Sequence, residues 1–275
     1  IKAANGFTVY SLADYDFLRH DEAPDSVNPS LWRLARLNLS NGLFQVTDRI
    51  FQVRSFDASN MTIVEGATGL IVIDPLSTLE TARAAINLYY ENRGVKPVKA
   101  VIYTHSHLDH YGGVRGVISD ADVKAGVRVI APSGFLEAAV SENVFAGNAM
   151  SRRTSYFYGT FIEKSEKGQL DCGIGKAYPM GSPTLIPPTE TFPIDPAKRV
   201  ESWFVDGVEI EFRNVSGTEA PAEMTLYFPQ FGALDSAEIA CPLMHNILTL
   251  RGAQVRDAKK WSEFLSEDLA EYGAK

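Results

Sequence analysis

Apolar and β-branched residues gather in short runs along the first hundred positions, with turn residues between them. Asp48–Arg54, Met61–Glu65 and Leu70–Asp74 are such runs, parted by Gly66 and Gly69, and the pattern predicts strands. From Leu79 to Arg93 the spacing changes: Ala82, Ile86, Tyr89 and Tyr90 recur at helical intervals, and Gly94 and Pro97 supply the stop. Ala100–Tyr103 is a continuous apolar run, as expected for a strand buried on both faces. Val127–Ala131 repeats the strand signal, and Ser133–Ala146 and Asn148–Tyr158 predict helices. Strand, helix and strand in this order imply an α/β fold.

Between Gly159 and Pro196 glycine and proline break every period, which predicts a long surface excursion, either a lid or binding wall or a disordered stretch. Asp206-Gly207 between Glu201–Val205 and Val208–Phe212 is a hairpin signal, and further strands are expected at Met224–Phe228 and Phe231–Asp235. A last helix over Asp257–Tyr272 would place Ala258, Trp261, Phe264, Leu265 and Leu269 on one face.

The chemistry concentrates in Thr104–Gly113, which holds three of the five histidines: His105, His107 and His110, with Asp109 between the last two. His105 and His107 leave a strand end two residues apart, so both can reach one cation; Asp109 and His110 follow after a turn and can reach a second. Two adjacent ions can share and acidify a water. Gly112 and Gly113 allow a close backbone turn and are expected to start the next helix.

Composition narrows the partners. A net charge of −8 and a sequence pI near 5.2 give no basic footprint for nucleic acid or an anionic membrane surface. No apolar run is long enough to span a bilayer. Cys172 and Cys241 are the only cysteines, too few for a thiolate zinc site or a disulfide framework. The chain opens at Ile1 without an initiator Met or signal peptide, and the expectation is that an upstream segment was removed.

His-x-His-x-Asp-His after a buried strand resembles the signature of the metallo-β-lactamase superfamily, and Gly69–Pro75 resembles the superfamily strand before its first long helix. The resemblance implies an αβ/βα four-layer sandwich and puts Asp74 in the place of an acid supporting the site; a helix cap is the other reading of Asp74. Within the superfamily the chain is most similar to bacterial zinc-dependent alkyl sulfatases that degrade dodecyl sulfate. Ser59–Thr62, Ala149–Arg153, Gly217–Glu223, Ala237-Glu238 and Thr249–Asp257 carry that likeness. It implies Glu219 as a ligand of the first zinc, with Glu223 as its rival, and Glu238 as the carboxylate bridging both metals. Arg251, in a segment resembling the sulfate-binding region, is the expected anion binder, and His245 and Asn246 could face the same pocket.

The implied activity is hydrolysis of a small-molecule alkyl sulfate by a water between two zinc ions. Two other readings stay open: a superfamily hydrolase acting on a thioester or lactam, and a fragment that binds metal without turnover. The superfamily's final metal-binding His and the dimerisation and sterol-carrier-like regions of the alkyl sulfatases have no counterpart within residues 1–275. The expectation is therefore one catalytic domain, incomplete at its C-terminus, that holds one or two zinc ions and belongs to a homodimeric periplasmic or secreted protein.

Overall fold

The structure, a computed structural model, describes residues 1–193 and 199–274. The end of the predicted excursion, up to Pro196, lies outside the described residues. Seven strands form one sheet in sequence order: β1 (Gly42–Gln45), β2 (Ile50–Arg54), β3 (Met61–Glu65), β4 (Leu70–Ile73), β5 (Val98–Ile102), β6 (Arg128–Pro132) and β7 (Glu190–Phe192). The first four pair antiparallel, and β4 to β7 run parallel. A second, antiparallel sheet has the order β11 (Ala233–Asp235), β10 (Met224–Phe228), β9 (Val208–Asn214), β8 (Val200–Val205).

Period-two geometry explains the layering. In β4, Leu70 and Val72 face one core while Ile71 and Ile73 face another, so every position is apolar. The first core is closed by helix α2 (Leu79–Arg93) through Ala82, Ala85, Ile86 and Tyr89. The second lies between the sheets, where Val208, Ile210 and Phe212 of β9 meet Ile71, Ile73 and Ile102. Helix α6 (Ala258–Tyr272) covers the outer face of the smaller sheet, with Tyr272 stacked on Tyr227 at 4.5 Å. The result is the four-layer αββα sandwich expected from the sequence.

Asp206 and Gly207 both have positive φ, as a type I′ hairpin requires. Asp206 also accepts bonds from Thr68 N (2.9 Å) and Gly69 N (2.8 Å), which ties the two sheets together. Several expectations need correction. The last helix buries Trp261, Phe264, Asp268 and Tyr272, whereas Ala258, Leu265 and Leu269 face outward. Asp268 wins its buried place because Arg213 Nε sits 3.2 Å away on β9. The helix predicted over Ser133–Ala146 is α4 (Phe135–Val140) followed by one π turn, Ser141–Phe145, before α5 (Gly147–Phe157). Gly112 and Gly113 lead only into the short 3₁₀ turn Val114–Gly116. Among the described residues no helix is long and apolar enough to cross a membrane.

Candidate metal centre

β5 ends at Ile102, and the chain beyond it is sewn to the turn that follows β9. Met224 N donates to Thr104 O (2.9 Å), Ser106 N donates to Ala222 O (3.2 Å), and His105 pairs with Glu223 as an isolated bridge. The turn closes through Gly217 N to Ala220 O (2.8 Å) with Gly217 at φ +82°, a conformation that favours glycine. Glu223 accepts bonds from Thr218 Oγ1 (2.7 Å) and Ala220 N (3.0 Å), so its carboxyl braces the turn. Glu219 is thereby delivered over the histidines. On the other side, a Cβ on Gly113 would lie 2.1 Å from Pro75 O, so only glycine lets the histidine segment pack against the loop after β4.

Six donors converge. Glu219 Oε2 lies 2.7 Å from His107 Nδ1 and 3.6 Å from His105 Nε2, and Glu238 Oε2 lies 3.5 Å from His105 Nε2 and 3.2 Å from His110 Nε2. Asp109 Oδ2 is 3.5 Å from His110 Nε2. His105, His107, Glu219 and Glu238 form one candidate ligand group, and Asp109, His110 and Glu238 a second that shares Glu238. Glu223 enters neither.

The protein's own bonds leave this cluster unsatisfied. His105 Nε2 and Glu219 Oε2 are buried with no hydrogen-bond partner, although groups of this kind are nearly always paired. Imidazole nitrogens and carboxylate oxygens facing one another are the donors that zinc takes, and a cation between them would satisfy both orphaned atoms. The residues present fit a metal.

The outer contacts aim the candidate ligands. Asp74 Oδ2 meets His110 Nδ1 at 2.8 Å, and the same carboxylate accepts from Thr104 N (2.8 Å) and Thr104 Oγ1 (2.6 Å). That arrangement fixes the ring so that Nε2 points into the cluster. Arg256 does the same for Glu219: its Nη2 donates to Glu219 Oε1 and its Nε to Glu219 O (2.7 Å).

Electrostatics separates the groups. Burial pushes His105 below the usual imidazole range and His107 down to about 4, so both are neutral and able to ligate at neutral pH. Burial would also lower His110, but the carboxylates of Asp74 and Asp109 outweigh it and raise it well above the ordinary value. Glu219 is pushed up to about 7 by burial and by Glu238. Burial opposes ionisation of Glu238 too, yet the nearby imidazole of His105 and the hydrogen bonds from His110 and His245 hold it well below the carboxylate range.

The remaining predicted residues line two cavities. One, of about 240 Å³, opens beside the ligand cluster and includes Glu219, Glu238, His245, Asn246, Arg251 and Arg256. The other, of about 620 Å³, runs under α5 and the wall Tyr178–Leu185, with Met150, Tyr158 and Phe161 in its lining. Arg251, Asp109 and Tyr158 line both. His245 Nε2 is 3.1 Å from Glu238 Oε1, and Asn246 Oδ1 accepts from Arg256 Nη1 at 2.6 Å. Sequence reasoning missed Arg256, although it lies in a segment that carried the resemblance, and it missed Glu142, whose Oε2 accepts from Arg251 Nη1 at 3.1 Å.

Comparisons with known proteins bear on the fold and the family. The metallo-beta-lactamase superfamily model matches residues 54–214. A linear primary-alkylsulfatase of Pseudomonas sp. is 51% identical over 99% of the chain and 40% of its own length. An alkyl/aryl-sulfatase of Saccharomyces cerevisiae is 49% identical over 98% of the chain and 42% of its own length. The chain thus spans about two-fifths of the curated relatives it matches. The solved structure of the stereoselective inverting sec-alkylsulfatase Pisa1 from Pseudomonas sp. superposes with a TM-score of 0.95 at 50% identity, over all of this chain and 43% of that one. The DIM-1 metallo-beta-lactamase, 14% identical with a TM-score of 0.53 over 84% of each chain, shares the fold. With the superfamily model spanning more than half of its residues, the histidine motif included, the chain belongs to the metallo-β-lactamase superfamily.

Proposed function

We propose that the protein hydrolyses linear alkyl sulfate esters to alcohol and sulfate at a two-zinc centre. The observation that carries this reading is the position of Arg251, which lines both the cavity beside the ligand cluster and the larger one under α5. A guanidinium at that junction suits an ester with an anionic head and an apolar tail, because its fork matches two sulfate oxygens. The alkylsulfatase names of relatives at about 50% identity support the same class.

His105, His107 and Glu219 would hold one zinc, Asp109 and His110 the other, with Glu238 between them. The chemistry that zinc supplies when bound in such a donor set is Lewis-acid charge and a lowered water pKa. Arg251 binds the sulfate group and offsets the charge that grows on it as the ester bond breaks. Asn246, whose Oδ1 is taken by Arg256, keeps its amide hydrogens for the same anion. His245 faces the same cavity and donates toward Glu238, orienting that carboxylate. The side chains of the larger cavity exclude water around the alkyl tail. Export to the periplasm or medium and a homodimeric whole protein belong to the same reading and rest on the family resemblance.

The test is turnover of dodecyl sulfate, a thioester and a β-lactam by the zinc-loaded protein, with metal content measured alongside. Dodecanol and sulfate release at two zinc per chain is expected. Thioester or lactam turnover without sulfate release overturns the reading, and so does metal loading without any turnover.

A further inference from the structure

Glu142 stands out because it is buried beside the centre and no step of the proposed reaction uses it. Its side chain is 8% exposed and sits in the π turn between α4 and α5. A π turn inserts a residue into a helix and redirects the side chains it carries, and such turns collect at functional sites. Here the redirection is anchored: Asn143 Nδ2 donates to Tyr111 Oη at 3.0 Å, which docks the turn onto the chain just after His110.

The two oxygens of Glu142 face different parts of the site. Oε2 accepts from Arg251 Nη1 at 3.1 Å, and among the described residues this is the one hydrogen bond the guanidinium makes. Oε1 is buried without a hydrogen-bond partner and lies 3.9 Å from His107 Nε2. That distance is too long for a hydrogen bond but close enough for a carboxylate to favour the proton on Nε2. The tautomer so favoured leaves His107 Nδ1 bare toward Glu219.

We propose that Glu142 is a positioning residue that sets both the orientation of Arg251 and its affinity for an anion. One edge of the guanidinium is tied back, so the remaining N–H groups are held for the ester sulfate. The carboxylate also neutralises part of the guanidinium charge, and an inorganic sulfate product therefore binds less tightly than to a free arginine. Glu142 thus favours correct placement of the substrate head over strong retention of the product. This inference rests on the reading of Arg251 as the anion binder.

The experiment uses Glu142→Gln and Glu142→Asp in the zinc-loaded protein, with inorganic sulfate as the probe. Sulfate binding is measured directly by calorimetry, independently of turnover. In the glutamine variant sulfate binding tightens about tenfold, the scale of one charge-assisted hydrogen bond exchanged for a neutral one, and kcat for dodecyl sulfate falls by a similar factor. The aspartate variant keeps the charge but shortens the reach, so sulfate affinity stays within about twofold of the parent while kcat falls. A purely packing role would leave sulfate affinity unmoved in both. Unchanged or weaker sulfate binding in Glu142→Gln overturns the proposal; should that variant fail to fold, aspartate-variant kcat equal to the parent overturns it. If the parent binds sulfate but does not cleave dodecyl sulfate, the proposed function fails while the sulfate comparison still decides the role of Glu142.

Discussion

Asp74 and His110 face each other at 2.8 Å across the end of two parallel strands, Oδ2 against Nδ1. The aspartate follows β4 and the histidine lies just beyond β5, so neighbouring strands of one sheet hold the candidate ligand and its carboxylate partner in fixed relation. Asp74 has φ +51°, a region asparagine also tolerates, so Asp74→Asn removes the charge with little backbone penalty. The expected result is loss of metal affinity at the Asp109–His110–Glu238 group by about 10- to 100-fold. Metal content after dialysis against a weak chelator should fall toward one ion per chain. Two retained ions would remove Asp74 from a supporting role.

In the proposed centre, protonation of Glu219 competes with metal. In the metal-free chain this carboxyl is raised to about 7, whereas His107 is lowered to about 4 and needs no deprotonation near neutrality. For folding of the metal-free chain, a raised carboxyl contributes stability that is present below the unfolded value and lost as pH rises through about 7. Metal reverses the balance, because it binds the ionised form. The increase in melting temperature caused by zinc is therefore expected to grow as pH rises from 5 through 7. Parallel melts with zinc and with chelator across that window check it, and a zinc effect that shrinks with rising pH would contradict it.

How much of this centre could be read from the chain alone depended on distance along it. His105, His107, Asp109 and His110 lie within six positions at a strand end, so local spacing sufficed. Glu219 and Glu238 are lone glutamates, and only the family resemblance singled them out from the other acids. Glu142 carried no local mark, and Arg256 none beyond its place in a segment of family likeness: their partners lie 109 and 37 positions away. The fold shows the same limit. Helix α2 has the bounds predicted, since its spacing, cap and stop agree. The strand β7 is three residues inside a Gly- and Pro-rich stretch, too short for any period to register, and it is ordered by pairing with β6. In α6 the apolar pattern favoured Leu265 and Leu269, but burial followed Asp268, because a buried Arg213 on the adjoining sheet required an acid.

Arg256 is expected to matter for both stability and metal. It is 7% exposed and bonds to the Glu219 side chain, Glu219 O and both oxygens of Asn246. Arg256→Met removes one partner of a buried ion pair, a change that typically costs about 3–5 kcal/mol. In the metal-free protein the loss should appear in full by denaturant melts. Zinc should restore part of it, because Glu219 then has another positive partner. A loss of the same size with and without zinc would separate Arg256 from the metal centre.

A second buried pair links the N-terminal segment to the same cavity. Lys176 Nζ lies 2.9 Å from Asp171 Oδ2, with both side chains fully buried, and donates to Ala35 O at 2.7 Å. Ala35 belongs to helix α1 (Pro29–Leu37), and Tyr15 Oη reaches Lys176 O at 2.9 Å, so this one lysine joins two N-terminal elements to the chain around it. Three of the residues between the partners, Cys172 to Ile174, line the cavity beside the ligand cluster. Lys176→Met leaves Asp171 as an uncompensated buried charge and should destabilise the fold by about 3–5 kcal/mol, whereas Lys176→Met combined with Asp171→Leu should recover much of that loss. The double variant regains stability without the bonds that hold Cys172–Ile174, so it should turn over dodecyl sulfate with a raised KM and little change in kcat. Denaturant melts of both variants and steady-state kinetics of the double variant test the two halves separately. A double variant as unstable as the single one would mean that the lysine acts by packing and its bond to Ala35 rather than by pairing with Asp171.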